Sequence, residues 1–557
     1  MVGALLCFAL LTQAAQAPPA IAAEIGAEEA TRIADRDPKV VDQRRKNDAV
    51  SSSADMVEGS WEVSYVAAGA RVALVIVDPA TGRVSESWTG YQVAWKMARG
   101  YSGSFGHRLN APYVFLPLCA LFLIGLIDWR RPWRLANLDL LVLLGFGVSH
   151  IFFNRAEIGV SVPLQYPVLV YLLGRALWIG LGRRRGGGIR PAWPAAWLAI
   201  AALFLIGIRL GLNIADAGTI DVGYASVVGA DLIAHGEPLY DNFPEDVSQG
   251  DTYGPVNYLA YVPFELVWPW SGIWDDLPAA HGAAVGFDLA ALGLLVLLGL
   301  RLRPGREGGM LAATLAFGWA AYPYTAYALE SNSNDTLVAV LLLATLLLVA
   351  RPAARGVMLA LATLTKFAPA VLVPMLATYQ SAGPVAGGAG MLRASSSSTP
   401  VSSGPPAAAK FATAFAATCA VLLIWPAIDP GLGTVWDRTI AYQADRDSPF
   451  SIWGQVAGLE PFRIALLVGT AALSVALAFR PKRKTLIQVA ALGAALLIAL
   501  QLSAQHWFYL YIVWFYPLLL VALTVGASPQ RADTQSGRRP RVRGGDAPTV
   551  TPTIRRG

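Results

Sequence analysis

The chain has 557 residues, 55% of them hydrophobic and 14% charged, with a mean hydropathy of +0.48. A soluble protein carries about 25% charged residues, so a soluble multidomain enzyme and a disordered chain are both excluded. The net charge of +6 does not indicate nucleic acid, because Arg and Lys fall in short clusters between apolar blocks rather than along one stripe.

Residues 1–23 read as a signal peptide or a retained N-terminal anchor. Residues 4–11 form a short apolar core, and Ala15-Gln16-Ala17 is a small-x-small cleavage candidate, although a basic start is missing. Residues 24–110 are the one soluble piece of any size, expected to be an extracytoplasmic α+β domain. A charged helix is expected over 23–47. Trp61, Val63 and Tyr65 alternate, as do Val72, Leu74 and Ile76, which is strand periodicity. Asp78-Pro79-Ala80-Thr81-Gly82 is a turn, and 91–99 reads as a short helix. The run from Val75 to Gly90 resembles the small PepSY-type module found outside bacterial membranes. The alternative is a packing or regulatory domain of another kind.

The remainder is expected to be an all-α polytopic membrane protein. Apolar blocks of the length that spans about 30 Å of hydrocarbon occupy 112–128, 136–153, 158–181, 193–213, 278–300, 309–328, 335–351, 410–428, 461–479, 485–503 and 506–526. Basic clusters stay cytoplasmic. The clusters at Arg130/Arg131/Arg134, Arg183 to Arg185, Arg301/Arg303/Arg306, Arg351/Arg355, Arg480 to Lys484 and the tail from Arg531 share one side under two conditions. Residues 255–271 must not cross, and residues 355–379 must enter and return, turning near Lys366. The chain then makes about thirteen crossings. Residues 111–192 are accessory helices, 193–527 the main transmembrane module, 380–408 a flexible cytoplasmic linker, and 528–557 a disordered basic cytoplasmic tail. That assignment gathers residues 214–254, 330–335, 429–460 and Gln505-His506 on the outer face, so any chemistry is extracytoplasmic.

Thr219-Ile220-Asp221-Val222-Gly223-Tyr224 directly follows an apolar helix. Val222, Ala225, Val228, Leu232 and Ile233 then fall on one helical face, which predicts a helix lying in the membrane interface. Asp221 at its start either acts as a general base on a hydroxyl arriving from water or is an N-cap. The three cysteines, Cys7, Cys119 and Cys419, have no paired spacing, and the loop in which Asp216, Asp231 and Asp251 accompany Asp221 has no Asp-x-Asp or His/Asp cluster, so no metal is expected there. No Rossmann or P-loop pattern appears.

The order Asp221-x-x-Tyr224, Gly236-x-Pro238-Leu239-Tyr240, Tyr253-Gly254-Pro255, Glu330 to Asp335, Lys366-x-x-Pro369, Arg446 to Gly454 and His506-Trp507-Phe508-Tyr509 resembles the GT-C integral-membrane glycosyltransferases. Glycosyltransferase family 87, with its polyprenyl-phosphate-mannose-dependent mannosyltransferases, is the nearest in pattern. The resemblance covers residues 193–526. It implies inverting transfer of a hexose, mannose first among candidates, from a polyprenyl-phosphate donor to a lipid, glycan or protein acceptor, in a bacterial plasma membrane and without a cofactor. Asp221 matches the family's base. A developing phosphate charge needs preorganised cations, and Lys366 is the first candidate, with Arg446 and His506 next. Lys366 inside an apolar segment is otherwise a snorkelling residue, and Arg446 a partner of Asp445 or Asp447. Tyr224, Tyr240, Tyr253 and Trp453 either contact substrate or form an interfacial belt. Asn334 and Asp335 contact sugar or, the favoured reading, cap the next helix. Arg209 is within reach of a phosphate, and Asp288 is expected to pair with a polar group on a neighbouring helix. The competing class is a transporter or lipid flippase, which would favour polar groups near the midplane and paired broken helices.

Overall fold

A computed structural model describes residues 25–525 apart from 48, 58, 68–69, 90–107, 183–187, 245–246, 275, 383–405 and 446–447, together with residue 557. The expected signal or anchor, the 91–99 helix, the Arg183 to Arg185 cluster, most of the 380–408 linker, Arg446 and the basic tail lie outside the described residues.

The charged stretch before the first strand forms two helices, Ala27–Ala34 and Pro38–Lys46. Asp37 separates them because its carboxylate accepts the Lys39 N–H and Pro38 opens the second helix. Four strands follow, β1 Ser51–Val57, β2 Ser60–Ala67, β3 Ala70–Val77 and β4 Val84–Thr89, in an antiparallel meander. Val63 pairs with Val75 and Tyr65 with Ala73, so the core face of β3 is Ala73, Val75 and Val77, while Leu74 and Ile76 of the expected alternation pair with Ser64 and Glu62 on the other face. Ala30, Ala34 and Val40 close the core over that face. The turn forms as read, with Asp78 accepting the Ala80 and Thr81 N–H groups at 2.8 and 2.9 Å. The edge strand β1 has no apolar alternation in Ser51-Ser52-Ser53 and rests on backbone pairing to β2.

The rest is helical. Among the described residues, six helices are long and apolar enough to cross a membrane: residues 135–154, Ile158–Leu181, Ala195–Asp216, Pro278–Leu302, residues 407–444 and Glu460–Phe479. Shorter apolar helices, among them Pro112–Leu126, Asp335–Leu347 and Leu486–Leu502, complete the bundle. The 38-residue helical stretch from Ala407 would be about 57 Å long if straight, more than one crossing needs. Its far part, from Ala427, is irregular and leans over the loops at one end of the bundle.

Two buried ion pairs link apolar helices, as burial of charge in a low dielectric demands. Arg175 Nε donates to both Asp139 oxygens at 2.9 Å. Arg209 donates to Asp288 at 2.7 Å. Arg209 also donates to the carbonyls of Trp319 and Ala320 at 3.1 and 3.2 Å. Pro323 has no N–H to donate to Trp319 O and interrupts the run between helices Gly305–Ala320 and Pro323–Glu330, and Thr325 Oγ1 also donates to that carbonyl, at 2.6 Å. Arg209 is therefore a structural cation, buried and engaged, and the reading that it reaches a phosphate is corrected.

Both conditions of the topology reading have structural counterparts. Residues 255–271 form two short helices, Pro255–Leu259 and Val262–Glu265, neither long enough to cross. Helix Pro352–Thr363 breaks before a 3-10 turn, Ala368–Leu372, and helix Val373–Ala377. The Arg355 guanidinium donates to Leu376 O at 3.0 Å, so the two limbs run back alongside each other. Basic segments gather at one end of the bundle: Arg134 bonds Gly188 O, Ile189 N–H bonds Leu523 O, Arg303 bonds Val525 O, Arg301 bonds Leu347 O and Lys484 N–H bonds Gln380 O. The other end joins Ile220 to Ser331, Gly254 to Thr365, and Arg438 to Asp251.

Candidate functional site

Asp221 is the first residue of helix Asp221–His235; Ile220, in extended conformation, is the N-cap. The N-cap reading of Asp221 is thus displaced by one residue. Ile220 N–H donates to Ser331 O at 3.0 Å, which pins the helix start to the 330–335 segment. Gly223 is required there, because a Cβ would stand 2.3 Å from Asn332 O. The Asp221 carboxylate accepts the Val222 N–H at 2.8 Å and is exposed. The helix ends at Gly236, in the left-handed conformation at φ 74°.

Between Gly223 and Ala230 this helix has no exposed face of the kind its amphipathic periodicity predicts. Every residue from Gly223 to Ala230 is buried, and its flanks pack on the Pro255–Leu259, Val262–Glu265 and Pro278–Leu302 helices. Small residues at Ser226, Gly229 and Ala230 let neighbours approach on faces that the periodicity left to water.

A cleft of about 300 Å³ opens beside Asp221, lined also by Ser248, Gln249, Tyr253, Trp274 and Tyr442. Trp274 is stacked on Tyr224 with ring centres 4.5 Å apart. Tyr224 is buried and supports the wall. Tyr240 is also buried, and its hydroxyl donates to Tyr253 O at 2.9 Å. Both tyrosines act behind the cleft surface.

Tyr253-Gly254-Pro255 docks on the turn that carries Lys366. Gly254 N–H donates to Thr365 O at 3.3 Å and Val256 N–H to Leu364 O at 3.0 Å. A Cβ on Gly254 would lie 2.1 Å from Leu364 O, so only glycine allows this approach. Lys366 is buried and does not snorkel. Its Nζ donates to Asp335 Oδ1 at 2.6 Å. Trp514 Nε1 donates to the same oxygen at 2.8 Å. The ammonium also lies 4.9, 5.4 and 5.6 Å from the ring centres of Tyr253, Trp514 and Tyr511. Tyr253 therefore faces both the cleft and Lys366, and the Asp221 charge acts on that ammonium.

The capping reading of Asn334 and Asp335 is corrected. Neither side chain caps helix Asp335–Leu347. Asn334 Nδ2 donates to Ser226 Oγ at 3.2 Å, and Asp335 holds Lys366. His506 Nδ1 is 2.8 Å from Ser448 Oγ, and its ring shares Tyr511 with Lys366, 6.3 Å centre to centre. Trp453 is tied to the Leu502 carbonyl at 3.0 Å. Arg446 lies outside the described residues.

Three participants escaped sequence reading. Arg438 donates to Asp251 Oδ2 at 2.6 Å and to the Ser248 carbonyl, bracing the cleft wall from 187 residues away. Asn213 and His281 form a network with Asn332: Asn213 Nδ2 donates to Asn332 Oδ1 at 2.8 Å, and His281 Nδ1 is 3.1 Å from Asn213 Oδ1. The available signal was a polar residue near the end of each apolar helix. Leu361, Ala417, Thr418, Val421 and Leu422 line an apolar groove of about 330 Å³. Leu361 stands little more than one turn before Lys366.

Glu330, just past the apolar run ending at 328, is buried, which pushes its carboxyl up from 4.5 to about 8 against the pull of Arg209. The folded protein then keeps a proton that the unfolded chain loses. Stability from this group is complete below pH 4.5 and is lost as pH rises to about 8. Thermal unfolding in detergent across that window should slope downward in the wild type, and Glu330→Gln should remove that part of the slope. An unchanged slope would show that Glu330 is ionised when folded.

The chain matches no protein-family model and no curated protein at a significant level.

Proposed function

We propose that this membrane protein is an inverting GT-C-type glycosyltransferase that moves a hexose, mannose first among candidates, from a polyprenyl-phosphate donor to a lipid, glycan or protein acceptor. The observation that carries the reading is an exposed carboxylate, Asp221, on a cleft walled by hydroxyl, amide and aromatic groups, with a buried cation behind Tyr253. Such a lining suits a polyhydroxylated ligand. The acceptor hydroxyl gives its proton to Asp221. Its oxygen forms a bond to the anomeric carbon as the bond to the donor phosphate breaks, and the electron pair leaves on the lipid phosphate. The apolar groove beside Leu361 and Val421 would take the isoprenoid tail.

The Lys366 role in this reaction is constrained by Asp335. While paired, Lys366 offers a phosphate a dipole rather than a full charge, so donor binding must draw the ammonium away from Asp335 or use His506. The proposed topology has about thirteen crossings, the cleft on the outer face of a bacterial plasma membrane, and the basic end in the cytoplasm.

The test uses membranes containing the full chain, supplied with a panel of radiolabelled polyprenyl-phosphate sugars. Label should pass from at least one donor to an acceptor, and a chelator should leave the rate unchanged. Movement of intact lipid-linked sugar across vesicles without transfer would establish the transporter instead, and metal dependence would disprove the metal-free mechanism.

A further inference from the structure

The basic end of the bundle carries a second cavity, of about 250 Å³, remote in sequence from the Asp221 cleft. Its wall includes Arg190, Arg303, Glu307, Met310, Leu311 and Thr314. Glu307, Met310, Leu311 and Thr314 are spaced i, i+3, i+4 and i+7 on helix Gly305–Ala320, so they form one stripe about 10 Å long. The stripe changes character along its length. Glu307 is exposed at the helix start, whereas Leu311 and Thr314 are buried. Arg303 precedes the helix and is anchored by a 2.9 Å bond to Val525 O. Arg190 follows Ile189, whose N–H bonds Leu523 O at 2.8 Å. Two cations and one carboxylate thus stand at the mouth, and the floor is mainly apolar.

We propose that this cavity binds the headgroup of an aminophospholipid. The charge set selects it. A phosphodiester needs cations, and guanidinium groups bind its oxygens as paired donors. The carboxylate of Glu307 opposes a purely anionic headgroup and suits a primary ammonium with N–H donors. The phosphate goes to Arg190 and Arg303, the ammonium to Glu307, and the glycerol and first acyl carbons run along Met310 and Leu311. The position agrees, because headgroups lie level with the basic ends of membrane helices. The site is independent of the sugar-transfer reading.

The full chain in neutral detergent micelles is titrated separately with phosphatidylethanolamine, phosphatidylglycerol and phosphatidylcholine, and retained lipid is measured by native mass spectrometry. Phosphatidylethanolamine should be retained over the other two by about tenfold, the size of one charge-assisted hydrogen bond. Glu307→Gln should abolish the preference over phosphatidylglycerol. Arg190→Gln and Arg303→Gln should each weaken retention of phosphatidylethanolamine and phosphatidylglycerol together; because Arg303 also holds Val525, the Arg190 variant decides if the Arg303 variant misfolds. Equal or better retention of phosphatidylglycerol by the wild type, or an unchanged preference in Glu307→Gln, would overturn the proposal. Full displacement by an equal concentration of free O-phosphoethanolamine would also overturn it, by making the ligand a soluble phosphate ester rather than a lipid.

Discussion

Asp221→Asn should lower sugar transfer by about 10²- to 10⁴-fold, the contribution of a positioned general base. The substitution keeps the shape of the side chain and its amide oxygen can still accept the Val222 N–H. Because Asp221 is exposed, the helix start should survive, and the pins at Ile220 and Gly223 do not involve its side chain. Donor binding should therefore change little while turnover collapses. Single-turnover assays of membranes from wild type and variant, with donor affinity measured in parallel, separate the two. Transfer at the wild-type rate would remove Asp221 as the base and leave the cleft as a binding feature alone.

Asp335→Leu should destabilise the folded protein by about 3–5 kcal/mol, the cost of leaving one partner of a buried ion pair alone. Lys366 would remain among Tyr253, Tyr511 and Trp514 without its carboxylate, and Trp514 Nε1 would lose its acceptor. The double variant Asp335→Leu/Lys366→Met should recover most of the loss, since an apolar pair of similar volume is often neutral in such a place. Denaturant titration in detergent reads both. A near-neutral single variant would mean that Lys366 finds water. The folded double variant then answers the functional question: unchanged KM for the lipid donor would restrict Lys366 to structure, whereas a raised KM would assign it to the phosphate.

The two variants probe features of unequal legibility. Asp221 was visible because a carboxylate following an apolar helix and opening another periodic run is a local pattern. Gly223 and Gly254 were visible as motif letters, but their reason was not. Each admits a carbonyl from a segment over a hundred residues away, Asn332 O at one and Leu364 O at the other. Lys366 stood out as a charge in an apolar run, yet its partner, 31 residues earlier, had been read as a helix cap. Arg438 was invisible, because an arginine in a polar segment has no local mark that it will brace a distant loop. The burial of helix Asp221–His235 on more than one face is not legible in the sequence, because periodicity counts large apolar residues, and here small ones make the contacts.

Composition, the spacing of apolar blocks and strand alternation were sufficient, by themselves, to foretell a mostly helical chain with helices of membrane-crossing length and a small N-terminal sheet, and the basic clusters to foretell several of the segments that gather at one end. Hydrocarbon imposes length and polarity rules on each segment separately, so a linear text can carry them. Only the tertiary structure decided which buried charge meets which, that Tyr253 stands between Asp221 and Lys366, and where two cavities bordered by charged groups open. Those outcomes depend on how helices pack side by side, and the partners involved are separated along the chain by distances that no local period encodes.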